Sequence, residues 1–353
     1  MTIGAYRIVK ADGERTPIID ENRNLRIDVL RVPVTAGRQV DLPGPSAQAY
    51  QGSSKGFLAG GPNGGVFPGT PSSMIQSFPF ATDAGADTGG DLLAVRSSSA
   101  GTSSPTHGFV ASGYVGGTVT GQMEKFPFAI SSGTSTDIGD QAIATRSSAG
   151  NSSDTHGYVS GGFSTAPSVI NHIQKFPNSS NANATDVGDL ISTKYNLMSS
   201  SSRTDGLGFL MGGAPNTISD IQKWPFASDG NSVSVGNLLN VNHSGAGASS
   251  NTHGYVSGGN PTPNNAQVIQ KYPFAISSGT STDVGDLAEN QFRNSGISST
   301  DNGYSVGGYY PNSPYGIRSD TIQKYPFASD ANATDAGNAA YASESFPRPG
   351  QQV

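Results

Sequence analysis

Apolar and polar positions alternate in short runs along most of the chain, and glycine, proline or aspartate closes each run within a few residues. Gly157-Tyr158-Val159-Ser160-Gly161-Gly162 and Ile173-Gln174-Lys175-Phe176-Pro177 are representative. Runs this short, bounded by turn formers, predict β-strands rather than amphipathic helices, which need a sustained apolar stripe. Helix is expected to be scarce.

The runs recur. An anchor of the form Ile-Gln-Lys-aromatic-Pro-Phe ends near Pro79, Pro127, Pro177, Pro225, Pro273 and Pro326, so the prolines step by 48, 50, 48, 48 and 53 residues. An aromatic and small-residue run ending in glycine precedes each anchor: Gly56–Gly61, Gly108–Gly113, Gly157–Gly162, Gly208–Gly213, Gly254–Gly259 and Gly303–Gly308. An Asp/Gly turn signal follows it, as in Thr136-Asp137-Ile138-Gly139-Asp140, and then a run of tiny residues such as Arg146-Ser147-Ser148-Ala149-Gly150. Each unit therefore offers four short extended segments, the content of one four-stranded propeller blade.

The chain enters and leaves the repeat at nearly the same point, since Asp41-Leu42 through Gly61 mimics Asp189-Leu190 through Gly213 and the array ends near Asn338. Whole units close a ring, whereas an open solenoid needs polar caps. The expected fold is all-β, a six-bladed β-propeller with blades at 41–92, 93–141, 142–190, 191–238, 239–287 and 288–340. Residues 1–40 form a short N-terminal β arm and 341–353 a C-terminal tail. The Ser/Gly/Ala runs belong innermost, and the aromatic runs pack between blades. Proline gives up a ladder hydrogen bond, so a bulge or a gap is expected at each Phe-Pro-Phe, with both rings on one face.

At the double glycines, each preceded by an apolar strand and followed by a strand carrying an aromatic, residues 41–340 resemble the kelch-repeat propellers. They depart from that pattern in their one tryptophan, Trp224, which lies in the third segment where a kelch unit places it in the fourth strand. The runs Thr-His-Gly-Tyr-Val-Ser-Gly-Gly at 155–162 and 252–259, and Thr-Asp-Val-Gly-Asp-Leu at 185–190 and 282–287, resemble repeats in predicted virion proteins of tailed phages infecting marine bacteria, including cyanobacteria.

Composition narrows the function classes. The 353 residues contain no cysteine, so neither disulfides nor thiolate metal sites hold the fold. The net charge of -6 argues against nucleic acid as a partner. Met1–Lys10 lacks an apolar core behind a basic start, and no run approaches the roughly 18 apolar residues of a membrane span, so neither a secretion signal nor membrane insertion is expected. Residues 1–40 hold seven of the 20 Lys+Arg and five of the 26 Asp+Glu, a charge density unlike the rest of the chain. Within them Tyr6–Lys10 and Leu25–Val32 read as strands, with an Asp12-Gly13 turn between them.

His107, His156 and His253 occupy one repeat position, and blade separation argues for a repeated turn contact rather than a metal site. The pairs Asp137/Asp140, Asp186/Asp189 and Asp283/Asp286 fit Asx-turns better than calcium ligation, which stays open as the lesser alternative. No Gly-x-Ser-x-Gly, His-Glu-x-x-His or phosphate-cradling loop appears, so no catalytic residue, cofactor or metal is expected and the chain reads as a non-enzyme. The insert between the double glycine and the anchor is 13 residues long in the first and sixth units, against 7 to 10 elsewhere. Tyr309, Tyr310, Tyr315 and Arg318 in the sixth insert combine stacking surfaces with hydrogen-bond donors, and are the candidate binding residues. Packing of those rings onto the first blade is the competing reading.

The expected function is that of a non-enzymatic phage virion structural protein, a tail appendage or surface decoration located in the virion. Residues 1–40 contact other virion proteins, and the propeller contacts a host-surface glycan or protein. The alternatives are a carbohydrate-binding or adhesion propeller of a cell and, less favoured, a propeller enzyme, because the fold hosts all three.

Overall fold

The computed structural model describes residues 7–9, 15–17, 54–63, 70–165, 168–216, 218–260, 266–310, 317–343 and 350–351. The chain divides into two units, Met1–Ser46 and Ala47–Val353. In the first unit Arg7–Val9 pairs antiparallel with Arg15–Pro17, placing Ile8 opposite Thr16 on either side of the Asp12-Gly13 segment. The partner of the first strand is thus its close neighbour; Leu25–Val32 lies outside the described residues.

The second unit is a six-bladed β-propeller, each blade an antiparallel four-stranded sheet. The second blade shows the plan: inner strand Ala100–Ser103, second strand His107–Ala111, third strand Gln122–Pro127 and outer strand Thr136–Asp140. The third to sixth blades repeat it, with inner strands Ala149–Ser152, Met198–Ser202, Ala246–Ser249 and Ser295–Ser298. No helix occurs among the described residues.

The first blade is built from both ends of the chain. Its second, third and outer strands are Lys55–Ala59, Met74–Pro79 and Asp87–Asp91, but its inner strand is Gly350–Gln351, which pairs with Phe57 and Gly56. The span 41–92 therefore holds three of its own blade's strands, and part of the expected tail belongs to the ring. Closing the ring this way adds ladder hydrogen bonds to the packing between blades and covers an inner edge that would otherwise be unpaired.

Two local expectations need correction. The Asp/Gly runs are not turns; they are the outer strands themselves. The bulge also lies there rather than at Phe-Pro-Phe. In the second blade Met123 pairs with Gly139 but Glu124 pairs with Asp137, so Ile138 is the extra residue. Gly139 supplies a φ of 120°, and the Asp137 carboxylate accepts its N–H at 2.8 Å. Glycine tolerates this backbone and a β-branched residue does not. The inserted Ile138 turns into the core, 2% exposed. The prolines simply end the third strands, where their missing N–H costs no ladder bond.

The core lies between blades. Six apolar clusters each join two neighbouring blades; one, for example, sets Met198, Phe209 and Ile221 of the fourth blade against Val256 and Tyr272 of the fifth. At each interface the aromatic of one blade's second strand meets the anchor aromatics of the next: Phe57 with Phe126 and Phe128, Phe109 with Phe176, Tyr158 with Trp224 and Phe226, Phe209 with Tyr272 and Phe274, Tyr255 with Tyr325 and Phe327. Tyr304 closes the series on Phe78 and Phe80 of the first blade. Full burial of such a ring stabilises by roughly 1.5–3 kcal/mol.

The glutamine after the anchor isoleucine ties each blade to the linker that enters it. Gln174, Gln222, Gln270, Gln323 and Gln76 accept the N–H of Ile143, Ile191, Leu239, Glu289 and Ala340. In the second blade Glu124 takes this place and accepts from Leu93 at 2.8 Å.

Candidate functional site

The propeller has two faces. The inner-to-second hairpins of the second to sixth blades and the third-to-outer loops lie on one side, the hairpin face. The linkers between blades and the second-to-third loops share the other, the linker face. The chain enters the ring at Ser54, on the hairpin face.

On the linker face, among the described residues, the linkers entering the second to sixth blades bridge to the loop that follows the double glycine. Arg146 and Phe163 exchange both backbone hydrogen bonds at 2.9 Å, and Ser97–Tyr114, Tyr195–Ala214 and Phe292–Tyr309 are the same bridge in other blades. His243 and Asn260 form half of it. The residue next along the linker is held at positive φ: Ser98, Ser147, Asn196, Ser244 and Arg293, between 53° and 60°. Their backbones make a belt, with the N–H of Ser147, Asn196, Ser244 and Arg293 each donating to the carbonyl of the preceding member at 2.7–2.9 Å. A φ above zero is unusual for a residue with a side chain, and here the belt's hydrogen bonds hold it.

The belt rims the central channel. The channel holds a cavity of about 130 Å³, walled by the small residues of the inner strands, Thr102 among them, and by linker residues that include Ser148 and Asn196. A second belt lies deeper: the N–H groups of Ser103, Ser152, Ser201 and Ser249 donate to the hydroxyls of Ser152, Ser201, Ser249 and Ser298 in turn. These hydroxyls link neighbouring blades from the second to the sixth.

Side chains of the bridges contact one another around the rim. The Arg146 guanidinium lies over the Phe163 ring at 4.8 Å and the Tyr114 ring at 5.6 Å, and Phe163 meets Tyr195 at 4.2 Å between centroids. Across the channel His243 meets Phe292 edge-on at 5.8 Å, and Arg293 lies over Phe292 and Tyr309. The two arcs give the mouth an aromatic and cationic rim.

The four residues singled out from the sequence fare differently. Tyr309 belongs to the rim, packing edge-on against Phe292 at 4.8 Å. The Tyr310 hydroxyl donates to the Glu289 carboxylate at 2.7 Å, and burial together with that carboxylate pushes its pKa up. Arg318 is 4% exposed and its backbone bridges to Tyr309, which makes it a support rather than a contact surface. Tyr315 lies outside the described residues. The two described tyrosines pack on the linker entering their own blade.

Tyr114, Arg146, Phe163, Tyr195, His243, Phe292 and Arg293 carry the rim and were missed in the sequence. Their signal is positional: in each of these units the sites two or three residues before the inner strand and one after the double glycine vary while their surroundings repeat.

His107, His156 and His253 each share a 2.8 Å hydrogen bond between Nδ1 and the preceding threonine hydroxyl, on the hairpin face. Each aspartate pair lies within its own outer strand, with Asp137, Asp186 and Asp283 accepting the N–H two residues on at 2.8, 3.3 and 3.1 Å. Among the described residues no group of three or more His, Asp or Glu could hold a metal ion. No protein-family model matches the chain, and no curated protein matches it.

Proposed function

We propose that this chain is a non-enzymatic structural protein of a phage virion, a tail appendage or surface decoration, whose kelch-like propeller is a binding head. The observation that carries the binding role is the division of labour within the repeat. Positions that build the ring recur from blade to blade, whereas the linker-face bridges carry Ser97/Tyr114, Arg146/Phe163, Tyr195/Ala214, His243/Asn260 and Phe292/Tyr309. A rigid scaffold with varied side chains gathered on one rim suits recognition. The inner-strand hydroxyls are engaged in ring-forming hydrogen bonds, which favours binding over nucleophilic chemistry. The virion assignment rests on the likeness of the 155–162 and 185–190 runs to phage virion repeats.

An adhesion propeller of a cell would use the same rim, so the location of the chain decides between the two. Mass spectrometry of particles banded from a lysate of the producing culture is expected to find the chain at a fixed ratio to the major capsid protein through successive gradients. Loss of the chain from the particle band, with recovery in the soluble or cell-envelope fraction, refutes the virion assignment.

A further inference from the structure

Tyr114, Arg146, Phe163 and Tyr195 form a continuous ladder across the second, third and fourth blades. Tyr114 is 41% exposed and the other three are half-buried. Arg96, Lys175, Lys194, Arg203, Lys271 and Lys324 each reach a carboxylate. Arg146 does not: among the described residues its guanidinium has ring contacts and neither an ion pair nor a side-chain hydrogen bond. A guanidinium whose faces rest on rings still presents its N–H edge, and that edge matches a carboxylate bidentately. Ser147 and Asn196, the next residues along their linkers, stand at the channel mouth with hydroxyl and amide groups.

We infer that this ladder binds a carboxylate-bearing sugar residue, with Arg146 forking onto the carboxylate, the exposed aromatic rings packing on the pyranose, and Ser147 and Asn196 meeting its hydroxyls. The inference rests on the reading of the ring as a binding head and names its ligand class. A sugar is favoured over an acidic peptide because exposed aromatic rings suit the flat face of a pyranose, and the channel mouth beside the ladder is hydroxyl- and amide-rich, with Ser147 and Asn196 among its residues. The chain's net charge of -6 repels long polyanions, so the site suits one acidic residue in an otherwise neutral glycan.

The test uses the full chain with sodium glucuronate, glucose and a blocked triglutamate peptide, followed by saturation-transfer NMR titration. Glucuronate is expected to bind at least tenfold tighter than glucose and tighter than triglutamate. Arg146→Gln should weaken glucuronate at least tenfold with an unchanged melting temperature, and Lys271→Gln, on the hairpin side, should leave binding as it was. Should Arg146→Gln fail to fold, Tyr114→Ser takes its place, because truncating a ring that is 41% exposed removes little core; a threefold or greater loss is expected. No glucuronate binding, equal binding of glucose, tighter binding of triglutamate, or unchanged affinity in the folded rim variants overturns the inference. A chain present in particles that ignores glucuronate defeats this inference alone, and glucuronate binding by a chain missing from particles defeats only the virion assignment.

Discussion

Tyr304 of the sixth blade stacks on Phe80 of the first, with ring centroids 5.0 Å apart and planes 23° from parallel. The contact joins the two ends of the repeat array, and the same contact occurs as Tyr158–Phe226 at 4.8 Å between the third and fourth blades. The seam of the ring is therefore packed like an internal interface. Tyr304→Ala is expected to lower unfolding free energy by about 3–5 kcal/mol, while Tyr304→Phe, which keeps the ring, changes it by less than about 1 kcal/mol. Denaturant midpoints of both variants check this, and a small effect for the alanine variant would mean that the seam is open.

Arg96 and Glu124 form an ion pair whose side chains are both fully buried, and the Arg96 guanidinium also donates to the carbonyls of Ser112 and Gln122 at 3.1 and 3.0 Å. Burial pushes the Arg96 pKa down, opposed by Glu124. The third blade has Thr145 and Gln174 at these places. Arg96→Thr alone leaves a buried carboxylate unpaired and should cost about 3–5 kcal/mol. Adding Glu124→Gln recreates the neighbouring blade's neutral pattern and should recover most of that loss. A double variant no better than the single one contradicts the assignment.

The repeat number, the blade order and the packing of aromatics between blades were legible in the sequence because each recurs six times at fixed phase. Gly350–Gln351 was not, since the residues around it carry no trace of the Ser/Gly/Ala run that marks Ala149–Ser152. The bulge was misplaced because proline removes a donor wherever it stands, but at a strand end no partner was waiting for that donor. The rim was hidden for a different reason. Arg146 and Phe163 lie on separate segments and become a site only when the bridge pairs them, and a search for shared residues passes over positions that differ between units. Loop length pointed to Tyr309 and Arg318 alike, but length does not reveal that Arg318 is 4% exposed.

Gly247 lies on its inner strand so close to the fourth blade that an added Cβ would stand 2.0 Å from the Ser199 carbonyl oxygen, and Gly296 bears the same relation to Gly247. Backbone cannot yield as a flexible side chain does. Gly247→Ala is expected to cost about 3 kcal/mol or more, against under about 1 kcal/mol for Gly230→Ala, where nothing lies within 4 Å. Thermal melts of the two variants should differ accordingly; equal melts would mean that the inner strands are not in contact.

Burial, aided by Lys125, Lys175 and Lys271, holds the imidazoles of His107, His156 and His253 below their ordinary pKa, and burial with Arg293 does the same for His243. The unfolded chain therefore takes up protons first as pH falls through about 6.5, and stability declines from there toward the lower folded values. Denaturant midpoints should be lower at pH 5 than at pH 7.5. Replacing His107, His156 and His253 with asparagine, which the sixth blade carries as Asn302, should narrow the gap. A midpoint that rises on acidification contradicts the direction of these shifts.

The claim beneath all of these is a ring of six blades closed by both ends of one chain. A crystal structure of the full-length protein tests it most directly. It is expected to show six four-stranded blades, Gly350–Gln351 hydrogen-bonded beside Lys55–Ala59, and Tyr304 stacked on Phe80 across the seam. Any other blade number, or a gap between the sixth and first blades, would contradict the account.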